Sequence, residues 1–194
     1  KLEMAAGVGL GGNLVVLGSL KGDVVALDKD TGEEQWRVTI DSEILAAPQN
    51  NGAVVVVQTN DGKLIGLDAE NGAVIWTYSA QLPSLSLRGT AVPQLLGPNV
   101  ITGFANGKLI ALSAVDGTLY WERRVASPQG RSDIERVVDI DGSTVLSGNA
   151  IYTTSYNGTL SALSTRGDIL WSQENSSHNS PIVIDNRVFV TSAE

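Results

Sequence analysis

Short apolar runs separated by turn residues recur along the whole chain. Val54–Val57 is a continuous run of four valines, which is typical of a β-strand covered on both faces. A hairpin signal follows at Asn60–Gly62, where the tight turn favours a residue that tolerates positive φ. A second apolar strand, a turn closed by another glycine and a last strand with a tryptophan complete the unit. This pattern predicts β-structure throughout the unit.

A segment that runs from a glycine to a tryptophan occurs four times. The copies are Gly22–Trp36, Gly62–Trp76, Gly107–Trp121 and the one-residue-shorter Gly158–Trp171. The leading glycines are 40, 45 and 51 residues apart, and Pro48, Pro93 and Thr144 each lie 14 residues before the glycine of their own repeat. With the strand at that upstream position, each unit has four strands in about 40 residues, the content of a propeller blade.

The sequence therefore predicts an all-β fold, a partial β-propeller with four-stranded antiparallel blades. The blades are expected at about 4–40, 44–80, 89–126 and 137–175, with the first two strands of a fifth blade at 179–194. Helical solenoids would need apolar residues at 3.6 spacing, and leucine-rich repeats are shorter. About four and a half blades are expected to belong to a larger ring. Open blade edges should then favour self-association, and two such halves could pair face to face.

Composition excludes several kinds of function. The net charge is -8 and the 13 basic residues are scattered, which argues against a nucleic-acid surface. The chain has no cysteine, so disulfides, thiolate metal sites and cysteine nucleophiles are impossible. The single histidine, His178, lies in a polar run and is expected to be solvated, without a functional role. The first residues do not resemble an export signal, which leaves a cytoplasmic protein or a targeting segment outside this sequence.

The connections between blades lengthen along the chain. They measure 12 residues from Trp36 to Pro48, 17 from Trp76 to Pro93 and 23 from Trp121 to Thr144. In a four-stranded meander these connections share one end of the blade with the Asn-Gly hairpins. Two enlarged loops are therefore expected side by side on one rim, where repeat proteins commonly build a binding surface.

The chemistry of these two loops permits two interpretations. Residues 82–89 alternate apolar and small polar side chains, and residues 131–141 end in alternating acids. Exposed leucines beside charges are typical of an interaction surface. Alternatively, Leu85 and Leu87 pack back onto the blade while Arg88 neutralises Asp139 or Asp141. The residues alone leave both interpretations open.

The pattern Ala26-x-Asp28-x-x-x-Gly32-x-x-x-Trp36 resembles the tryptophan-docking repeat of pyrroloquinoline-quinone-type propellers. In that superfamily the tryptophan of one blade packs against the glycine turn of the next. The resemblance implies a structural docking role for Trp36, Trp76, Trp121, Trp171, Gly32, Gly72, Gly117 and Gly167. The fourth copy departs from the pattern, with Ser164 at the acidic position and one residue missing before Gly167. A cofactor-stacking platform is the other interpretation, but an aromatic residue repeated on every blade favours packing.

The segments LPSLSLRG (82–89) and RSDIERVVDID (131–141), within such a repeat, resemble the BamB family of outer-membrane β-barrel assembly lipoproteins. The resemblance implies an eight-bladed periplasmic propeller, anchored through a lipidated cysteine, that binds the POTRA domains of BamA. The partner-contacting residues of the family correspond here to Leu85, Leu87, Arg88, Asp139 and Asp141. The lipidated cysteine and about half of the family's blades have no counterpart in this sequence.

The expected function is a non-catalytic scaffold of the assembly complex at the periplasmic face of the outer membrane, without cofactor, metal or catalytic residue. Two alternatives remain. A quinone-dependent dehydrogenase shares the blade motif but needs a calcium site and an aspartate base, for which no acidic cluster on the inner strands is evident. A propeller that binds other peptides or sugars is the second alternative.

Overall fold

The computed structural model consists of β-strands joined by turns and loops. It describes residues 3–4, 6–86, 89–129, 131–132, 134–185 and 187–192. Within these ranges there is no helix, and hence none of sufficient length and hydrophobicity to cross a membrane.

The strands follow one another as antiparallel meanders, and each meander is hydrogen-bonded in chain order. The first blade comprises β1 (Gly9–Gly11), β2 (Leu14–Gly18), β3 (Asp23–Asp28) and β4 (Glu34–Thr39). The second comprises β5 (Gln49–Asn50), β6 (Val54–Gln58), β7 (Lys63–Asp68) and β8 (Val74–Ser79). The third comprises β9 (Gln94–Leu96), β10 (Asn99–Gly103), β11 (Lys108–Ser113) and β12 (Leu119–Arg124). The fourth comprises β13 (Val145–Ser147), β14 (Ala150–Thr154), β15 (Gly158–Ser164) and β16 (Ile169–Asn175), and a two-stranded sheet follows with β17 (Ile182–Ile184) and β18 (Arg187–Phe189).

Burial changes from the middle of a blade to its outer edge. Every residue of β6 is buried, because neighbouring sheets cover the second blade on both faces. The outer strand β8 alternates instead, with Trp76 buried and Thr77 exposed. The chain's continuous apolar runs thus form the middle strands of each blade, and its alternating segments form the outer strands.

Three apolar clusters hold successive blades together. The first joins Val16 and Val24 of the first blade to Val55 and Leu67 of the second. The other two clusters lie between the second and third blades and between the third and fourth. Because a fully buried aliphatic side chain contributes about 1.5–3 kcal/mol, these face-to-face contacts are the main source of stability.

A tryptophan of each of the first three blades docks on the glycine turn of the next blade. Trp36 donates its indole N–H to the carbonyl of Ala69 at 2.9 Å, and a Cβ added at Gly72 would lie 2.7 Å from the Trp36 ring. In the same way, the Trp76 indole N–H donates to the carbonyl of Ala114 at 2.9 Å, and that of Trp121 donates to the carbonyl of Thr165 at 3.2 Å. Their rings pack on Gly117 and Gly167, respectively. Successive blades stacked in this way confirm the partial β-propeller predicted from the sequence.

The remaining two positions of the repeat have no such partner within the described part of the chain. An added Cβ at Gly32 would meet no atom within 4 Å. Trp171 is 38% exposed and contacts Tyr152 of its own blade, with ring centroids 6.0 Å apart. Docking of Trp171 and Gly32 therefore stays a prediction.

A β-bulge precedes each tryptophan. In the second blade Gly66 pairs with Trp76 and Leu67 pairs with Val74, which leaves Ile75 as the extra residue. The other three outer strands have the same shift in register. A bulge bends its strand and redirects a side chain, so it both turns the indole toward the next blade and interrupts the open edge.

The two ends of the blades are chemically distinct. The connector end carries the β2–β3-type hairpins, at Gly22, Gly62, Gly107 and Gly158, and the connections between blades. The turn end carries the docking turns at Gly32, Gly72, Gly117 and Gly167. The three tryptophan contacts between blades therefore lie at the turn end, and the large variation in loop length is at the connector end.

We expect Trp76→Ala to lower the free energy of unfolding by about 3–5 kcal/mol, because it removes a buried ring and its hydrogen bond to Ala114. Urea unfolding followed by far-UV circular dichroism measures this loss. Trp171→Ala is the matched control and should cost clearly less. Equal losses for the two variants would show that docking across blades contributes little.

Candidate functional site

The two longest connections, the first insertion (80–93) and the second insertion (125–144), meet at the connector end. Ser86 and Gly89 of the first insertion face Ile140 and Asp141 of the second. An added Cβ at Gly89 would lie 3.0 Å from the carboxylate carbon of Asp141. The cleft between the loops measures only about 10 Å³, which is room for about one water molecule. In their described residues, the two loops thus pack against one another and leave no ligand pocket between them.

The first insertion is anchored on two hairpins. The Ala80 amide donates to the carbonyl of Gly62 at 2.9 Å, and Leu82 covers the same glycine. The Asn106 side-chain amide of the next blade donates to the carbonyl of Gln81 at 2.8 Å. These contacts fix the start of the loop relative to both blades.

The second insertion is anchored at both its ends. The Val125 amide donates to the carbonyl of Gly107 at 2.9 Å, and the Thr159 hydroxyl donates to the carbonyl of Val125 at 2.8 Å. Further along, Ile140 packs so closely on Gly103 that an added Cβ there would lie 2.2 Å from it. The amide of Tyr156 donates to the carbonyl of Asp139 at 2.8 Å. This loop therefore bridges the third and fourth blades.

A buried polar link beneath the site joins the second and third blades. The Gln58 side-chain amide donates to the carbonyl of Gly103 at 2.8 Å and accepts from the Thr102 hydroxyl at 2.5 Å. Gln58 and Thr102 are both buried, so the link is shielded from water. Gly103 is also where Ile140 packs, and the link therefore supports the base of the second insertion.

The residues predicted from the sequence have different environments. Leu85 is 43% exposed, as an interaction residue requires. Leu87 and Arg88 lie outside the described residues. Asp141 is partly buried and faces the first insertion.

Asp139 differs from the expectation of an exposed contact residue. Its side chain is fully buried, and its backbone joins the second insertion to the fourth blade through Tyr156. A direct contact with a partner would require this carboxylate to become exposed. The position is therefore better suited to supporting the loop.

Burial at the loop junction affects the ionisation of Asp141. Loss of water contact raises the pKa of the Asp141 carboxyl above its ordinary value, and the nearby charge of His178 acts in the opposite direction. His178 lies in the connection between β16 and β17. This connection packs against the second insertion, because the Ser143 amide donates to the Ser180 hydroxyl at 2.8 Å. His178 itself is exposed.

Ile134 is a candidate interaction residue that was not among those assigned from the sequence. It is 73% exposed near the tip of the second insertion. The adjacent Glu135 carboxylate accepts from the amides of Arg131 at 2.7 Å and Ser132 at 3.1 Å, and these bonds lower the pKa of Glu135. The sequence contained one indication, since Ile134 is the single apolar residue between Arg131 and Arg136.

Comparison with known proteins identifies the family. The profile of the family described as "Outer membrane protein assembly factor BamB" matches residues 1–194. The chain belongs to the BamB family. This confirms the resemblance found in the loop segments.

Two members of the family are particularly similar. BamB of Alteromonas naphthalenivorans is 38% identical over 185 residues, which cover 95% of this chain and 44% of that protein. The crystal structure of BamB from Moraxella catarrhalis superposes with a TM-score of 0.93 at 34% identity, covering 98% of this chain and 59% of that one. This chain spans about half the length of the curated BamB relatives that it matches.

The fold extends beyond the BamB family. A quinohemoprotein alcohol dehydrogenase from Comamonas testosteroni has a TM-score of 0.71 at 18% identity, a likeness that concerns the fold alone. Among the described residues, no group of three or more His, Cys, Asp or Glu side chains is arranged to hold a metal ion.

We expect Asp141→Asn to be more stable than the parent chain at neutral pH. The carboxyl has a raised pKa in the folded state, so the unfolded state loses its proton first as pH rises and the parent loses stability. The stability advantage of the variant should disappear below about pH 4, where the Asp141 carboxyl of the parent is protonated in both the folded and the unfolded state. Thermal melting as a function of pH measures it.

Asp116→Asn is the control with the opposite sign. The Ser113 hydroxyl and the Thr118 amide lower the pKa of Asp116, so this variant should be less stable than the parent at neutral pH. If Asp141→Asn is also destabilised at pH 7, interactions of the charged carboxylate outweigh its burial.

Proposed function

We propose that this part of the chain is a non-catalytic scaffold of the outer-membrane β-barrel assembly complex. It would bind the periplasmic POTRA domains of BamA through the two insertions, at the periplasmic face of the outer membrane. The names of the relatives describe assembly factors for outer-membrane proteins and support this class of function.

The observation that carries the proposal is the convergence of the two insertions. They come from successive blades, pack against one another at Gly89 and Asp141, and are each fixed by hydrogen bonds to the hairpins beneath. A surface that is already ordered loses little conformational entropy when a partner binds. Long connections would not by themselves provide this advantage.

The exposed side chains of the insertions supply the chemistry of the contact. Leu85 and Ile134 leave apolar area on the two loops, and such area contributes about 25 cal/mol per Å² when a partner covers it. Leu87 and Arg88 continue the first loop next to Leu85 and are proposed to contribute more apolar area and a cation. Asp141 would orient the partner, and Asp139 would hold the second loop in position from within.

The decisive experiment is binding of the soluble POTRA domains of BamA to variants of this chain. Leu85→Asp and Ile134→Asp should each weaken binding at least about tenfold, or about 1.4 kcal/mol, because each places a charge in apolar contact area. Leu87→Asp and Arg88→Glu are expected to act in the same direction. Isothermal titration calorimetry gives the dissociation constants.

The matched control is Val115→Asp, since Val115 is 64% exposed but lies at the turn end. It should bind like the parent chain. Circular dichroism checks that every variant is folded. Parent-like binding by all four loop variants would contradict the proposed surface.

A further inference from the structure

A cleft at the turn end, between the third and fourth blades, is distinct from the surface formed by the insertions. It has a volume of about 440 Å³ and lies between two blades that are both complete in this chain. Its walls include Leu96, Ile101, Tyr120, Trp121, Leu146 and Arg166. Cavities of this size with apolar walls and a few polar groups are typical ligand sites.

The cleft lies beside the one docking turn that departs from the repeat. In the second blade the docking turn places Gly72 four residues after Asp68, whereas in the fourth Gly167 follows Ser164 by three. The shorter turn still receives Trp121, but the indole hydrogen bond lengthens to 3.2 Å from the 2.9 Å of Trp76, and the ring is only partly buried. The missing residue therefore leaves part of an aromatic surface uncovered.

The corresponding cleft between the first and second blades provides an internal comparison. Its volume is about 430 Å³, but its walls are polar and acidic. Gln35 stands there in the place of Tyr120, and Glu70 stands in the docking turn of the second blade as Arg166 does in that of the fourth. Two clefts of similar volume are thus lined by opposite chemistry. The apolar and cationic lining of the cleft between the third and fourth blades is therefore not a requirement of the fold.

The polar groups of the cleft define what it can bind. Arg166 is exposed, and no described acidic side chain forms an ion pair with its guanidinium. A guanidinium binds a carboxylate through two parallel hydrogen bonds. Asn99 lines the cleft at a position where the other blades have Leu14, Val54 and Ala150. Its side-chain amide can pair with a peptide group.

We propose that this cleft binds the carboxy-terminal residue of an extended polypeptide. Its large apolar side chain would lie against Tyr120, Trp121 and Leu146, and its α-carboxylate would pair with Arg166. Asn99 would hydrogen-bond to the last peptide group, which favours a peptide over a simple fatty acid.

The test is titration of this chain with the tripeptide acetyl-Ala-Ala-Phe as the free acid and as its carboxy-terminal amide. Chemical-shift changes of the indole N–H of Trp121 and tryptophan fluorescence report on binding. We expect the free acid to bind at least about tenfold more tightly than the amide, since only the acid can pair with the guanidinium. Arg166→Gln should remove this preference, whereas Tyr120→Ser should weaken both peptides. Both side chains are exposed, so the fold should persist.

Lys29→Gln is the matched control, because Lys29 is an exposed cation of the first blade's docking turn. It should leave the preference for the free acid intact. Equal affinity for acid and amide, or no shift of the Trp121 resonance, would overturn the proposal. Binding of 3-phenylpropionate as tight as that of the peptide acid would overturn the peptide assignment in favour of free carboxylates. These measurements do not involve BamA, so they are independent of the function proposed above.

Discussion

The docking of Trp36, Trp76 and Trp121 on the glycine turn of the following blade is the constraint on which the rest of the structure depends. The ring occupies space that a Cβ at Gly72 would fill, and its N–H satisfies the buried carbonyl of Ala69. An unpaired polar group at this position would cost about 1–3 kcal/mol, so ring, glycine and carbonyl must be kept together. The bulge before the tryptophan contributes to the same contact, because it turns the indole toward the next blade.

Concentrating this lock at the turn end leaves the connector end free to vary. Each doubling of a loop's length adds only about 0.6 kcal/mol of closure entropy, so insertions between blades are tolerated. The two insertions are distinguished by hydrogen bonds that anchor them to Gly62, Asn106 and Gly107 of the hairpins. Length alone would give mobile loops, whereas these contacts give a defined surface.

The sequence predicted what depends on local pattern and failed where distant contacts decide. The valine run of β6 and the glycine turns were predictable, because strand periodicity and positive φ are properties of a few neighbouring residues. Burial of Asp139 was not, since it depends on how a long loop packs against the fourth blade. The missing residue before Gly167 was visible in the sequence, but the apolar lining of the cleft beside Trp121 required the structure.

In a repeat, the departures from the repeat indicate where something other than packing is selected. This chain departs from the repeat at opposite ends of the blades: the insertions lengthen the connector end, and the fourth docking turn is one residue shorter at the turn end. The middle strands have about six residues, so the two surfaces are about 20 Å apart. A domain held at Leu85 would leave Arg166 accessible, and the two ligands would not compete. If both proposals hold, the two surfaces would bring a bound chain end to within about 20 Å of the partner.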